Sequence, residues 1–121
     1  MYSKRALQYI RTIQKKIIFI ENIVKAKGSI AKALEDEQND RAAILMHLTS
    51  IAEQFDKLMH SAEVELLSNF EKQDIKGSYD LRNFIAHDYE GVDLYIVEDV
   101  IKERLPKIKA VTLHILQNDK R

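Results

Sequence analysis

The chain has 121 residues, of which 45% are apolar and 31% charged, and its formal net charge is zero. This composition is too apolar for a disordered chain, and the length suits a single domain, 1–121, with one core. The zero net charge excludes a broad basic footprint, so any contact with nucleic acid would have to be local.

Composition also argues against a membrane or secreted location. The longest apolar runs, 17–20 and 42–46, fall far short of the roughly 20 residues that cross a bilayer. Residues 1–16 are too charged for a signal peptide, and the absence of Cys rules out a disulfide framework and a thiolate metal site. We therefore expect a cytoplasmic protein.

Residues 4–27 are predicted to form one long helix. Ser3 is a suitable N-cap, and Gly28 is a suitable C-terminal stop. Apolar residues recur between them at helix spacing and form one stripe: Ala6, Ile10, Ile13, Ile17, Ile20 and Val24. Ser29 is then placed to cap a short helix that ends near Glu35.

A polar loop, DEQND at 36–40, leads into a second long helix that is predicted over 40–65. Its apolar residues again follow the helix period: Ile44, Leu48, Ile51, Phe55, Leu58 or Met59, and Ala62. Residues 66–77 have a mixed pattern, and Gly77 is expected to act as a break.

Three shorter helices are predicted for the rest of the chain. Ser78 is placed to cap the first of them, which ends by Gly91. The next is expected over 93–104. Pro106 suits the first turn of a final helix over 107–117, where its missing N–H costs nothing.

This order of elements predicts an all-α protein, an up-down bundle of four to six helices. No stretch alternates polar and apolar residues between turn residues, so no strand is expected. The first helix is apolar beyond its main stripe, at Leu7, Ile18, Phe19 and Ile23. An apolar surface of that width is typical of a helix with a second partner and favours a homodimer or a higher assembly.

The segment RNFIAHDY, at 82–89, separates its side chains on a helical wheel. With Arg82 at zero, Ala86 falls at about 40°, Asn83 at about 100° and His87 at about 140°. The opposite arc is apolar and holds Leu81, Phe84, Ile85 and Tyr89. Tyr89 is seven residues from Arg82, so an ideal helix returns it to within about 20° of the Arg.

The polar arc has the residue types that phosphodiester chemistry uses. His can take a proton from a 2′-hydroxyl or give one to a leaving oxygen, and Arg stabilises phosphate oxygens. One His cannot easily act as both acid and base, but a symmetric dimer would supply two. The same residues also fit an ordinary surface, in which Arg82 pairs with Asp80 or Asp88 and His87 closes a helix end.

Other polar residues give weaker signals. His47, His60 and His114 are isolated, and His60 with Glu63 offers only two ligands, so no metal site is expected. Four tyrosines are expected to pack with hydrated hydroxyls: Tyr2, Tyr9, Tyr79 and Tyr95. The densest basic stretch either steers RNA or is simply solvated: Lys4, Arg5, Arg11, Lys15 and Lys16.

RNFIAHDY resembles the signature of the HEPN superfamily, which is Arg, a polar residue, three variable residues and His. Tyr89 extends it to R-x4-H-x-Y, which is similar to the HepT-like toxin branch. The stretch GVDLYIVEDVIKERLPKIK is similar to that branch too, with Gly-Val-Asp, a short helix and Leu-Pro before the last helix. The resemblance covers essentially the whole chain. It departs at Glu90 and in lacking a Trp ahead of the motif.

The resemblance implies an all-α homodimer in which two R-x4-H motifs meet in a cleft. It implies a metal-independent endoribonuclease toxin of a type VII-like toxin–antitoxin pair, with Arg82 and His87 catalytic and Asn83 supporting them. The implied partners are an RNA substrate and a minimal nucleotidyltransferase antitoxin, which neutralises the toxin by adenylylation of Tyr89 with AMP from ATP. No cofactor is implied for the toxin.

Two other functions are open at the level of sequence. A non-catalytic HEPN subunit would bind nucleotide or dock a nucleotidyltransferase. Such relatives usually lack a complete Arg–His motif, whereas this chain retains both residues. A helical interaction domain with no chemistry would tolerate Arg82→Ala and His87→Ala.

Overall fold

The structure is a computed structural model that describes residues 2–119, so Met1, Lys120 and Arg121 of the predicted domain lie outside the described residues. Within 2–119 the chain forms α-helices and helical turns, without a strand, which confirms the predicted all-α bundle. The helices are α1 (Lys4–Lys27), α2 (Ile30–Glu35), α3 (Asp40–Met59), α4 (Lys72–His87), α5 (Leu94–Asp99) and α6 (Leu105–Asn118). None of the described helices is long and apolar enough to cross a membrane.

The core lies where α1 packs against α3 on one side and α6 on the other. The predicted stripe of α1 forms its centre, and these members of the stripe are fully buried: Ile10, Ile13, Ile17 and Ile20. Leu7 is buried as well, because α1 covers two neighbouring helices. Part of the extra apolar width of α1 is therefore used within the chain itself.

The helix α3 packs between α1 and α4 and connects the core with the motif segment. Phe19 near the end of α1 contacts His47 near the start of α3, whereas Lys57 near the end of α3 lies over Tyr9 near the start of α1. The two helices are therefore antiparallel.

The ends of α1 and α2 follow the predicted capping residues. The hydroxyl of Ser3 accepts a hydrogen bond from the amide of Ala6 at 3.1 Å, and that of Ser29 accepts one from Lys32 at 3.1 Å. Gly28 ends α1 with φ of 96°, in the left-handed region that favours glycine.

The helix α3 is shorter than predicted, since it ends at Met59 rather than at 65. The hydroxyl of Ser61 explains the difference. It donates to the carbonyl of Leu58 at 2.8 Å and accepts from the amide of Glu63 at 3.1 Å, which fixes a turn in place of a further helical turn. A 3₁₀ helix, Val64–Asn69, follows and buries two leucines.

The helix α4 begins at Lys72, so the predicted break at Gly77 and helix start at Ser78 are wrong. Ser78 lies inside the helix, where its hydroxyl donates to the carbonyl of Asp74 at 2.9 Å. In the first turn of the helix, buried Asp74 pairs at 3.3 Å with Arg104, a residue from a distant part of the sequence. Gly77 lies inside this helix, where a glycine costs about 1 kcal/mol relative to alanine, and the helix continues through it.

The last two predicted helices form one continuous helical segment. A π-helical turn, Val100–Arg104, joins α5 to α6, and the amide of Leu105 donates to the carbonyl of Val100. Pro106 lies in the first turn of α6, as predicted. The widened turn accommodates the ring and the missing N–H of the proline, so the helix continues through it.

Candidate active site

The motif segment occupies the end of α4 and the turn that follows it. Leu81 and Ile85 are buried, which anchors one side of the helix on the core. Arg82 is half-buried, and Asn83 and His87 are exposed. The polar arc of the wheel therefore lies on the outer side of α4.

The guanidinium of Arg82 has no ion-pair partner among residues 2–119. Both carboxylates that the sequence offered are engaged elsewhere, since Asp80 accepts from Lys76 at 2.8 Å and Asp88 caps the turn after the helix. The alternative in which Arg82 pairs with Asp80 or Asp88 is therefore wrong. Its guanidinium carbon lies 5.4 Å from the ring centroid of Tyr79, a cation–π contact that leaves its N–H groups available.

Tyr79 is a residue of the site that the sequence reasoning missed. Its hydroxyl is buried and has no hydrogen-bond partner within the described residues, contrary to the expected hydrated hydroxyl. Burial raises the pKa of Tyr79, and Asp56 raises it further, while Arg82 acts in the opposite direction. The phenol is therefore neutral, and its ring supports the Arg82 side chain. The three-residue spacing of Tyr79 and Arg82 on one helix is the signal that would have identified it.

A cavity of about 270 Å³ lies between α3 and α4 beside Arg82. Its walls come from the first half of α3, the end of α4 and the following turn: Ala42, Met46, Thr49, Arg82, Ile85, Ala86 and Tyr89. Ala86 leaves room beside the Arg, as the wheel predicted for a small residue there. The cavity combines an unpaired cation with mostly apolar walls, so it suits an anion that carries an apolar surface.

Two apolar side chains close to the motif are mostly exposed. Met46, a cavity wall, is 66% exposed, and Phe84 is 61% exposed. The wheel groups Phe84 with Leu81 and Ile85, but only the latter two face the core. The described part of the chain therefore leaves both side chains largely open to solvent.

Tyr89 lies in a 3₁₀ turn that ends at Gly91, because α4 itself ends at His87. The helical wheel assumed that Tyr89 and Arg82 lie on one continuous helix, and this assumption is wrong. The carboxylate of Asp88 accepts a hydrogen bond from the amide of Gly91 at 3.1 Å, and a Cβ at position 91 would collide with it. This turn returns Tyr89 to the cavity that Arg82 lines, with 40% of the tyrosine exposed.

His87 and Asn83 do not line this cavity. Both are exposed, and His87 is the last residue of α4. Within one chain the structure therefore brings Arg82 and Tyr89 to a common cavity and leaves His87 on an adjacent surface. The arrangement can hold an anion beside a hydroxyl, and it leaves the imidazole of His87 exposed on the surface.

In the described part of the chain, no three His, Asp or Glu side chains converge as metal ligands. His60 and Glu63, at ligand-like spacing in the sequence, contact different neighbours. The Nδ1 atom of His60 lies 2.9 Å from the carbonyl of Asp56, and the carboxylate of Glu63 accepts from the amide of Ser3 at 2.7 Å. The two side chains therefore contact different parts of the chain.

The chain matches a known protein family over most of its length. The family model described as Ribonuclease HepT-like matches residues 6–115. That range contains the whole motif segment, every wall of the cavity and the turn after α4. No solved structure matches the chain.

Proposed function

Because the chain belongs to the HepT-like ribonuclease family, we propose that it is a metal-independent endoribonuclease toxin whose site contains Arg82, Asn83 and His87. The observation that carries the proposal is the guanidinium of Arg82, which lines a cavity and has no ion-pair partner among the described residues. A free guanidinium binds phosphate through two parallel hydrogen bonds. In this family the fitting anion is the scissile phosphate of RNA.

The proposed reaction is an internal transesterification of the RNA. The 2′-oxygen attacks the adjacent phosphorus, and the bond from phosphorus to the 5′-oxygen breaks, which yields a 2′,3′-cyclic phosphate and a 5′-hydroxyl. A neutral His87 would take the proton of the 2′-hydroxyl, and a protonated His87 would give a proton to the leaving oxygen. Arg82 would stabilise the charge on the non-bridging oxygens, and the amide of Asn83 would hydrogen-bond the substrate.

A homodimer, or a higher assembly built from it, meets the needs of this reaction. One chain has a single motif His, and that His lies outside the cavity of its own Arg82. Two motif helices related by a two-fold axis would bring two imidazoles to the phosphates that the Arg82 side chains hold. The exposed Met46 and Phe84 beside the motif are suited to be covered in such an interface.

Tyr89 is the proposed switch of the site. A nucleotidyltransferase antitoxin would promote attack of the tyrosine oxygen on the α-phosphorus of ATP, with pyrophosphate as the leaving group and AMP left on Tyr89. Since Tyr89 and Arg82 line the same cavity, the new phosphodiester anion would pair with Arg82 and the nucleoside would fill the space beside it. The scissile phosphate would then lose its binding group.

Growth and RNA integrity after induced expression test this proposal. The parent chain is expected to arrest growth and fragment RNA, and the purified protein should cut RNA in the presence of EDTA, leaving 2′,3′-cyclic phosphate ends. His87→Ala should do neither. His60→Ala is the matched control, because His60 is also an exposed residue at the end of a helix, α3, and lies outside the motif.

Two outcomes would contradict the ribonuclease proposal. In the first, His87→Ala is as toxic and as active on RNA as the parent. In the second, the purified parent leaves RNA intact yet binds a nucleotidyltransferase, which would support the non-catalytic HEPN subunit instead.

A further inference from the structure

The helix α1 carries cations that the rest of the described chain leaves unpaired. Seven of its 24 residues are Lys or Arg, and only Glu21 is acidic. Lys27 is paired with Asp36 and Asp40 at 3.5 and 3.2 Å. The other cations of α1 have no ion-pair partner within residues 2–119: Lys4, Arg5, Arg11, Lys15, Lys16 and Lys25.

Three of these cations form a row on the outermost side of the helix. Lys4, Arg11 and Lys15 are all exposed, and they fall within about 40° of one another, opposite the buried stripe. The row extends about 16 Å along the helix axis. A straight row of free cations is suited to a linear polyanion rather than to a single small anion.

An aromatic ring lies beside the row. Phe19 is 39% exposed, and its ring contacts that of His47 in α3 with 5.3 Å between centroids. The ammonium of Lys16 lies 5.6 Å from the Phe19 centroid. Burial, followed by Lys16, lowers the pKa of His47, so the ring behind Phe19 is neutral. A ring that is supported from one side and open on the other, with cations nearby, is the arrangement on which nucleobases stack.

The ring of Phe19 contacts α3, and α3 also lines the cavity that contains Arg82. His47 follows Met46 in the sequence, and Met46 lines the cavity with Arg82. Negative charge is collected on other elements, since segment 88–103 has six carboxylates and only one cation, Lys102. A polyanion is therefore attracted towards α1 and repelled by segment 88–103, which begins with Asp88 of the motif.

We propose that α1 holds the RNA substrate as a single strand, with phosphates on Lys4, Arg11 and Lys15 and one base on Phe19. The inference deepens the proposed ribonuclease function and rests on it for the identity of the polyanion. It also explains how a chain with zero net charge binds nucleic acid, because the contacts are local and few.

Binding of a short fluorescent oligouridine to the His87→Ala protein, measured across a range of salt concentrations, tests this surface. The triple variant Lys4→Gln, Arg11→Gln, Lys15→Gln is expected to lower the slope of log affinity against log salt by about 2, since each single-strand phosphate contact contributes about 0.7. At roughly 0.1 M salt this corresponds to about 100-fold weaker binding. Phe19→Leu should weaken binding roughly tenfold and leave the slope unchanged.

The matched control is Lys32→Gln, Lys72→Gln, Lys102→Gln, which removes the same charge from exposed lysines of α2, α4 and the π-helical turn. It should keep the slope of the His87→Ala protein. Equal slopes for the two triple variants, or no RNA binding by the His87→Ala protein, would overturn the proposal. If the α1 variant loses binding but the parent cuts no RNA, the ribonuclease proposal is wrong and the proposed RNA-binding surface on α1 still holds. If the α1 variant cleaves RNA normally at all salt concentrations, the proposed surface on α1 is wrong and the ribonuclease proposal still holds.

Discussion

Replacement of Arg104 by Met is expected to destabilise the motif helix through a buried charge. Asp74 lies in the first turn of α4 with a side chain only 3% exposed, and the guanidinium of Arg104 is 3.3 Å from its carboxylate. Met has a similar length and no charge. In the variant, Asp74 would retain only the weaker, more distant attraction of Lys107, so its carboxylate would be buried with little compensation.

Protonation of Asp74 sets the upper limit of this cost. A carboxylate that is too costly to keep charged takes up a proton, and that costs about 1.4 kcal/mol for each pH unit above its ordinary pKa of 3.8. The limit is therefore about 4 kcal/mol at pH 7 and about 1 kcal/mol at pH 4.5. Because Arg104 is itself partly exposed, we expect a loss of about 3 kcal/mol at pH 7, or about 12 °C in Tm for a chain of this length.

Asp74 opposes folding at neutral pH even in the parent chain. Burial is the largest cause that raises its pKa, and Arg104 lowers it without cancelling that effect. A raised folded-state pKa means that the stability contribution of the group is fully present below the ordinary value and is lost as the pH rises through the folded value. Asp74→Asn should therefore lie within about 1 kcal/mol of the parent at pH 7 and flatten the pH dependence above 3.8.

Urea unfolding, followed by circular dichroism at pH 7 and pH 4.5, measures these differences. The double variant Asp74→Asn, Arg104→Met should recover most of what Arg104→Met loses at pH 7. Lys76→Met is the control, since its ion pair with Asp80 is shorter, at 2.8 Å, but exposed on both sides, and its loss should cost less than about 1 kcal/mol. An equal loss for Arg104→Met at both pH values would refute the reasoning, because a packing defect does not depend on pH.

Three further predictions concern the motif and its turn. Tyr89→Phe should cut RNA like the parent but arrest growth even with the nucleotidyltransferase antitoxin co-expressed; full neutralisation of the variant would argue against Tyr89 as the acceptor. Arg82→Lys should lower kcat/KM on an oligonucleotide by about 10- to 100-fold, because an ammonium lacks the two-pronged geometry, and an unchanged value would show that charge alone suffices. Gly91→Ala should cost about 1 kcal/mol in urea unfolding, because its Cβ displaces the capping carboxylate of Asp88. Gly77→Ala, which has open space around it, is its control and should stabilise α4 by up to about 1 kcal/mol.

Elements with local signals could be predicted from the sequence. The bounds of α1 follow from the spacing of its apolar residues and from Ser3 and Gly28, which cap its two ends. Each cap contacts a backbone group within about one helical turn. The start of α4 was not predicted, and the sequence also does not show that Asp74 in its first turn pairs with Arg104, 30 residues further along the chain. Local propensity at Gly77 indicated a break, but α4 continues through this residue.

The candidate site, like the fold, could be predicted from the sequence only in part. The wheel groups Arg82 with Ala86 because both lie on one helix, and the cavity contains both. The wheel of α4 cannot include Met46, because Met46 belongs to α3. In the sequence Met46 resembles a core residue of α3, and only the packed structure shows that it is exposed and lines the cavity. The wheel also misassigns the path to Tyr89, because the end of α4 is set by the Asp88 cap rather than by helix period. The positions of Met46 and Tyr89 depend on tertiary packing and on the turn after α4, and helix periodicity describes neither.

In the proposed dimer, the reaction would be divided between two chains. Arg82 and Tyr89 line one cavity of the same chain, so adenylylation would act on the phosphate anchor in cis. His87 lies outside that cavity, so at least one of the two proton transfers would come from the partner's His87 in the proposed dimer. A modified chain paired with an unmodified copy would then still lend its His87 to the intact Arg82 of the other. On this proposal, complete neutralisation of the dimer would require modification of both tyrosines, and the antitoxin would have to act on each copy separately.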